Sequence, residues 1–381
     1  MMNRRVAAFV AVALSACAQA GDDVFYSGFQ TPIWTQGYFV GYENGLYPIA
    51  EIDFSAVTHL MVGRVVPNPD GSMTKNFDID NTNGPLFAQQ SVDAAHAAGR
   101  KALLMVGGSG EESAWVSAAS ASHRAVFVTN LLQTMDQFGF DGLDLDWEPL
   151  DAATDRAEML ALAGDLRAAR PNMLMTFPAR WVNSNFEFSD AYYGTLSGYF
   201  DRINIMTYDM SWDGDGWSSW FTSALKADTG STPSSVNTSV AYYLASGVPS
   251  QKLGVGMGFY GDCWHGVTAP RQAIPAGAGV VASDGTMSYA KIMASYYNAS
   301  RYHWDATAQV PWLGSANAFG PQSCTFVSYE DAQSIAQKGA FVKQNGLGGS
   351  IIWTISQGHI AGNPVGQRDP LLDAVRSSFL H

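Results

Sequence analysis

The sequence predicts an α/β fold, a closed (β/α)₈ TIM barrel, and three observations carry that prediction. Short β-rich runs alternate with longer helical patterns almost to the last residue, which is how repeated βα units read. Eight β-rich runs can be counted, the number that closes such a barrel. No Pro- and Ser/Thr-rich linker divides the 381 residues, and no repeat of 20 to 50 residues is visible, so one large unit fits better than several small ones.

The runs fall near Gly37 to Val40, His59 to Val65, Ala102 to Val106, Phe140 to Trp147, Leu174 to Pro178, Arg202 to Met206, Leu253 to Met257 and Gly349 to Trp353. Each is rich in β-branched, aromatic or other apolar residues, as strands buried on both faces are. Helical spacing of apolar residues marks Ser91 to Ala98, Arg124 to Gln137, Asp155 to Ala169, Val236 to Ser246, Asp331 to Asn345 and Leu371 to Phe379. Ser328 with Asp331 reads as a capping box for the fifth of these, and Gly346 as its stop. An open, doubly wound sheet would need a topological switch and usually has fewer strands.

The chain carries 21 basic and 34 acidic side chains, a net charge of −13, with 47% hydrophobic residues. That apolar content excludes a disordered polypeptide. The acidity excludes the cationic footprint that nucleic acid requires. Only 14% of the residues are charged, while 11 Trp and 16 Tyr offer flat faces for a neutral ligand or for a core.

Arg4 and Arg5 precede a nine-residue apolar run from Val6 to Leu14, too short to span a bilayer and arranged as a secretory leader. Residues 1–20 are therefore expected to be a signal peptide, and 30–381 the barrel, secreted to the periplasm or the exterior. Two processing sites compete: Ala18-Gln19-Ala20 before Gly21, and a lipobox, Leu14-Ser15-Ala16-Cys17, that would leave a lipid anchor on Cys17. Cys263 and Cys324 then remain, either as one disulfide or as two separate buried thiols. No C-x-x-C or H-E-x-x-H spacing occurs and the seven histidines are scattered, so neither a metal nor another cofactor is expected. The expected form is a monomer.

The chemistry is concentrated in Phe138-Gly139-Phe140-Asp141-Gly142-Leu143-Asp144-Leu145-Asp146-Trp147-Glu148. Strand side chains alternate faces, so Asp144, Asp146 and Glu148 point one way and Leu143, Leu145 and Trp147 the other. In a barrel the apolar set packs under the helices, and the acids rise inside toward the C-terminal mouth, where active sites of this architecture lie. Acids standing roughly 6 to 7 Å apart in a poorly solvated place cannot all ionise, so at least one proton is held near neutrality. That suits acid catalysis; the competing readings are a cation held by the three acids and a solvated acidic edge.

The motif D-G-x-D-x-D-W-E resembles the signature of family 18 glycoside hydrolases, the chitinases and their relatives. Further segments match in the family's order: Gly37-Tyr38-Phe39, Gly107-Gly108, Met206-Thr207-Tyr208-Asp209, Gly256-Met257-Gly258-Phe259-Tyr260-Gly261 and Gly348-Gly349-Ser350-Ile351-Ile352-Trp353. The resemblance implies hydrolysis of β-1,4-linked N-acetylglucosamine polymers, chitin or chitooligosaccharide, with retention and with the substrate's own acetamido group as nucleophile. By the same resemblance Glu148 is the general acid and base, Asp146 orients the acetamido group, Asp144 shares a proton with Asp146, and Tyr208 bonds the acetamido oxygen. Asp209 would contact the sugar in the cleaved subsite, Trp353 would be its floor, and Tyr38, Met206 and Tyr260 would line it. Trp181, Trp212, Trp217, Trp220 and Trp312 are further stacking candidates.

The departures matter equally. The family's serine two positions before the glycine pair is Met105, the second strand has Val62-Gly63-Arg64 where an aromatic segment is expected, and the arginine often found after Tyr-Gly in the seventh strand is Asp262. Arg64 reads either as a replacement donor or as a salt-bridged rim residue. Only 26 residues separate Tyr260 from Met287. That count predicts a barrel without the large α+β insertion domain of one family branch, and hence an open cleft with endo-type attack. An endo-β-N-acetylglucosaminidase acting on N-glycans and a non-catalytic sugar-binding lectin are the alternatives.

Overall fold

The computed structural model describes residues 32–185, 190–227, 230–232 and 234–381; the expected leader and both of its processing sites lie outside them. The strands are β1 Trp34–Val40, β2 His59–Pro67, β3 Met73–Thr74, β4 Lys101–Gly107, β5 Gly142–Asp146, β6 Leu174–Arg180, β7 Arg202–Met206, β8 Leu253–Gly258, β9 Gly261–His265, β10 Gly279–Ala282, β11 Tyr302–Asp305, β12 Val310–Phe319, β13 Cys324–Tyr329 and β14 Gly349–Trp353. The helices are α1 Asn83–Ala97, α2 Glu112–Ala119, α3 Arg124–Phe138, α4 Ala153–Ala169, α5 Tyr192–Leu196, α6 Val236–Ala245, α7 Tyr289–Ser295, α8 Ala332–Gln344 and α9 Pro370–Phe379. β1, β14, β8, β7, β6, β5, β4 and β2 pair in that order, all parallel, and β1 pairs with β2 to close the ring. The eight expected strands are these eight.

The alternation in β5 sorts as its period demands. Leu143, Leu145 and Trp147 are buried in the layer between barrel and helices, where Trp147 stacks on Trp115 of α2 at 5.2 Å between ring centroids. Each such apolar side chain contributes about 1.5 to 3 kcal/mol when fully buried. Inside the barrel a second cluster of Tyr38, Val40, Met61, Leu103, Met105, Tyr208, Tyr260 and Ile351 fills the upper half. Below it, Asn204 donates to Gln36 Oε1 at 2.7 Å, so these inward polar groups satisfy one another.

Two sequence expectations need correction. The first concerns the insertion. β9 to β13 form a five-stranded antiparallel sheet, ordered β10-β9-β13-β12-β11, and together with α7 they are an α+β insertion between barrel strands β8 and β14. The 26-residue count ended at Met287, but the chain does not return to the barrel there. It forms α7 and three more strands first, through Tyr329, and Phe221, Trp264 and Phe326 give this sheet its own buried cluster. The second concerns the cap of α8. Asp331 is the N-cap and its box partner is Ser334, each side chain bonding the other's backbone N–H at 2.9 Å. Ser328 lies in β13 instead, accepting from Thr222 N.

Cys263 of β9 and Cys324 of β13 are joined in a disulfide, which resolves the choice between a bridge and two thiols. Among the described residues no helix is long and apolar enough to cross a membrane.

Candidate active site

The ends of β1, β5, β7 and β14 converge on a cavity of about 600 Å³ at the C-terminal mouth of the barrel. Two glycines allow the walls to approach so closely. A Cβ on Gly256 would stand 2.7 Å from Thr207 N and 2.8 Å from Tyr208 Cε1. Gly107, at φ 89°, would place one 2.5 Å from the Asp146 carbonyl. Both contacts are shorter than any side chain tolerates, so these positions require glycine.

Asp144 lies deepest, fully buried, and both of its oxygens are engaged. Tyr38 Oη donates to Oδ2 at 2.8 Å, and Thr176 Oγ1, one strand over on β6, donates to Oδ1. Burial pushes this carboxyl up to about 7 even though both hydrogen bonds favour its ionised form. Asp146, one step nearer the mouth, is raised well above the carboxylate range by burial, then by the charges of Glu148 and Asp144. It hydrogen-bonds Glu148, whose own carboxyl is raised by burial. The column therefore holds protons at neutral pH, as the crowding of acids predicts. Asp146 Oδ1 has no partner among the described residues, and Met105, in register with Asp144, supplies no hydroxyl.

Trp353, at the end of β14, packs against Tyr38 with ring centroids 5.2 Å apart, and its Nε1 donates to Asp284 Oδ1 at 3.1 Å. Gln357 Nε2 holds the same Asp284 oxygen at 2.7 Å and Glu43 Oε1 at 2.8 Å. Tyr208 and Met206 line the cavity from β7. Asp209 reaches it at the cleft surface with φ 51°, and its backbone N–H donates to Thr222 Oγ1.

Tyr260, expected to line the subsite, does not. It is 1% exposed and outside the cavity lining, meets the Tyr208 ring edge to face, and bonds Asp209. Arg64 lines the cavity as a salt-bridged residue, on Asp78 at 2.9 Å and Glu111 at 3.2 Å, and donates to the Gly107 carbonyl. Of the looser aromatic candidates, Trp181 lines the cavity, whereas Trp220 and Trp312 belong to the packing beneath the insertion. Trp212 is exposed and Trp217 half-buried, both outside the lining.

Sequence reasoning missed Thr176, Asp284 and Tyr42. Thr176 left a signal, a single hydroxyl on the inward period of an apolar strand. Asp284 and Tyr42 sit on segments between strands with no periodicity to read. A second cavity of about 440 Å³ shares Ser109, Glu148, Arg180 and Met206 with the first.

Comparison with known proteins agrees with this geometry. Residues 35–358 match the sequence model of Glycosyl hydrolases family 18. A probable endochitinase of Caenorhabditis elegans is 31% identical over 285 residues, 68% of this chain, and a class V chitinase of Arabidopsis thaliana is 26% identical over 334 residues, 81% of this chain. The alignments cover 44% of the nematode protein's length and 82% of the plant protein's. In fold, the Ostrinia furnacalis group IV chitinase superposes with a TM-score of 0.76 at 23% identity, over 92% of this chain and all of that one. A Nicotiana tobaccum class V chitinase in complex with NAG4 gives 0.72 at 21%, over 91% of this chain and 99% of that one. On its sequence match, its barrel and the acid column at its mouth, the chain belongs to glycoside hydrolase family 18.

Proposed function

We propose that the protein is a chitinase that cleaves β-1,4 linkages between N-acetylglucosamine residues with retention of configuration. The observation that carries this reading is the column of Asp144, Asp146 and a proton-holding Glu148 that rises to the cavity, with Asp146 Oδ1 left without a partner among the described residues. An acetamido N–H is the donor it lacks. In this reading Glu148 gives its proton to the glycosidic oxygen as the C1–O bond breaks, and the acetamido carbonyl oxygen bonds C1 from the opposite side. The positive charge of the resulting oxazolinium falls to Asp146. Water, deprotonated by Glu148, then attacks C1 as the bond from the acetamido oxygen to C1 breaks, which regenerates the acetamido group and restores the original configuration.

Trp353 is the floor under the reacting sugar and Tyr208 the donor to its acetamido oxygen. Two cavities that both reach Glu148 are compatible with attack on internal bonds. We also propose export by the leader of residues 1–20; the mass of the mature N-terminus distinguishes cleavage before Gly21 from lipidation at Cys17.

The test is release of reducing ends from chitin oligosaccharides by the protein beside its Glu148→Gln variant, across pH 4 to 8. The expected loss in the variant is on the order of 10² to 10⁴ in turnover, with binding retained. Binding without cleavage by both proteins would instead make this a lectin. Cleavage of N-glycans alone would make it an endo-β-N-acetylglucosaminidase.

A further inference from the structure

Asp262 stands where the family often carries an arginine; burial raises its carboxyl, and three hydroxyl donors work against that in favour of a negative charge. It is 2% exposed on β9. Ser211 Oγ donates to its Oδ2 and Ser283 Oγ to its Oδ1, each at 2.6 Å, and the Thr222 hydroxyl adds a third bond. Hydroxyl donors on both oxygens stabilise the ionised form. Asp209, three residues beyond the end of β7, has fewer donors: one hydrogen bond from Tyr260 to its carboxyl, and the same Thr222 hydroxyl accepting from its backbone.

The Thr222 hydroxyl bonds Asp262 and accepts from the Asp209 backbone, and of two carboxylates that feel each other's charge the one with more donors keeps it. The proton therefore falls to Asp209. Enclosure by the cleft and then the Asp262 charge raise Asp209 to about 7, with Asp284 and Glu148 adding to the same effect. The other groups packed near Asp262 do not oppose this. Ser328 of β13 is its register partner, and Lys291 of α7 is engaged by the Gly285 carbonyl and faces Glu43.

We propose that Asp262 is a positioning residue whose hydroxyl-caged charge keeps Asp209 protonated, so that Asp209 meets the bound sugar as a hydrogen-bond donor and the cleft binds best in its acid form. The inference rests on the chitooligosaccharide reading above. An ionised Asp209 would have to shed water against the sugar beside three other acids, which costs more than docking a neutral carboxylic acid.

The test measures affinity for the N-acetylglucosamine tetramer from pH 5 to 9 in the Glu148→Gln background, where nothing is cleaved and position 148 does not titrate. Affinity should fall on the order of tenfold as pH rises through about 7. Adding Asp262→Asn should move that fall at least one pH unit lower. Ser211→Ala, a milder change that strips one donor from Asp262 and draws the proton away from Asp209, should move it the same way. The Ser211 variant carries the test if the Asp262 variant does not fold. A fall at the same pH in all three proteins overturns the proposal while leaving the substrate reading intact. No binding at any pH in the Glu148→Gln protein overturns the substrate reading, and this inference with it.

Discussion

Thr176 of β6 donates its hydroxyl hydrogen bond to Asp144 of β5, its register partner in the neighbouring strand. With Tyr38 on the other oxygen, the innermost acid is supported from β1 and β6. β4 contributes none of this support, because it presents Met105 where the family has serine. The hydroxyl missing from one neighbouring strand is compensated from another.

Thr176→Val should therefore damage the site at nearly constant shape. Losing a hydrogen bond to a charged group costs about 1.5 to 3 kcal/mol and lifts Asp144 further, so less of it is ionised to support Asp146. Turnover should drop on the order of tenfold, with the titration of kcat displaced to higher pH; an unchanged kcat–pH profile would show that Tyr38 alone suffices.

Stability should fall as pH rises across the site's titration range. Asp144 titrates at about 7 in the folded chain, above its ordinary value near 4, so the folded state binds its proton more tightly. The stabilisation from that proton is fully present below the unfolded value and lost as pH climbs to about 7. Denaturant titrations from pH 4 to 8 should show this slope, and Asp144→Asn should reduce it while abolishing most activity.

Gly256→Ala should act on the site through the backbone. The added methyl would overlap Thr207 N and Tyr208 Cε1, pushing β7 away from β8 where Tyr208 is held. Overpacking of this kind costs about 1 to 3 kcal/mol. The kinetic expectation is a fall in kcat larger than any rise in KM, measured on a soluble oligosaccharide.

Removing the disulfide should weaken the insertion. Cys263 and Cys324 are separated by 61 residues, and closing such a loop stabilises by about 4 kcal/mol on the chain-entropy account. Cys263→Ser with Cys324→Ser should lower the melting temperature clearly, while activity at low temperature persists, since neither sulfur touches the cleft.

Lys338 and Glu330 form a buried ion pair that ties α8 to Ser223, whose hydroxyl in turn donates to the Thr207 carbonyl. Lys338→Met strands Glu330 as a buried charge and should cost about 3 to 5 kcal/mol. The double variant with Glu330→Gln should recover much of that in thermal melts.

The order and type of the barrel elements, and the column of acids on one face of β5, were determined by the sequence alone. Both depend on local periods: two for a strand, which puts Asp144, Asp146 and Glu148 together, and 3.6 for the helices that cover Leu143 and Leu145. What surrounds that column was decided by the tertiary structure. Thr176, Asp284 and Asp262 come from three separate parts of the chain, and Tyr260 is buried against Tyr208 and Asp209. The insertion escaped notice because its antiparallel strands return to the barrel only after Tyr329, a long-range pairing that no local pattern encodes. The Thr176 to Asp144 bond, 32 positions apart, needs β5 and β6 paired, and the Tyr38 to Asp144 bond, 106 positions apart and between non-adjacent strands, exists only once the ring has closed.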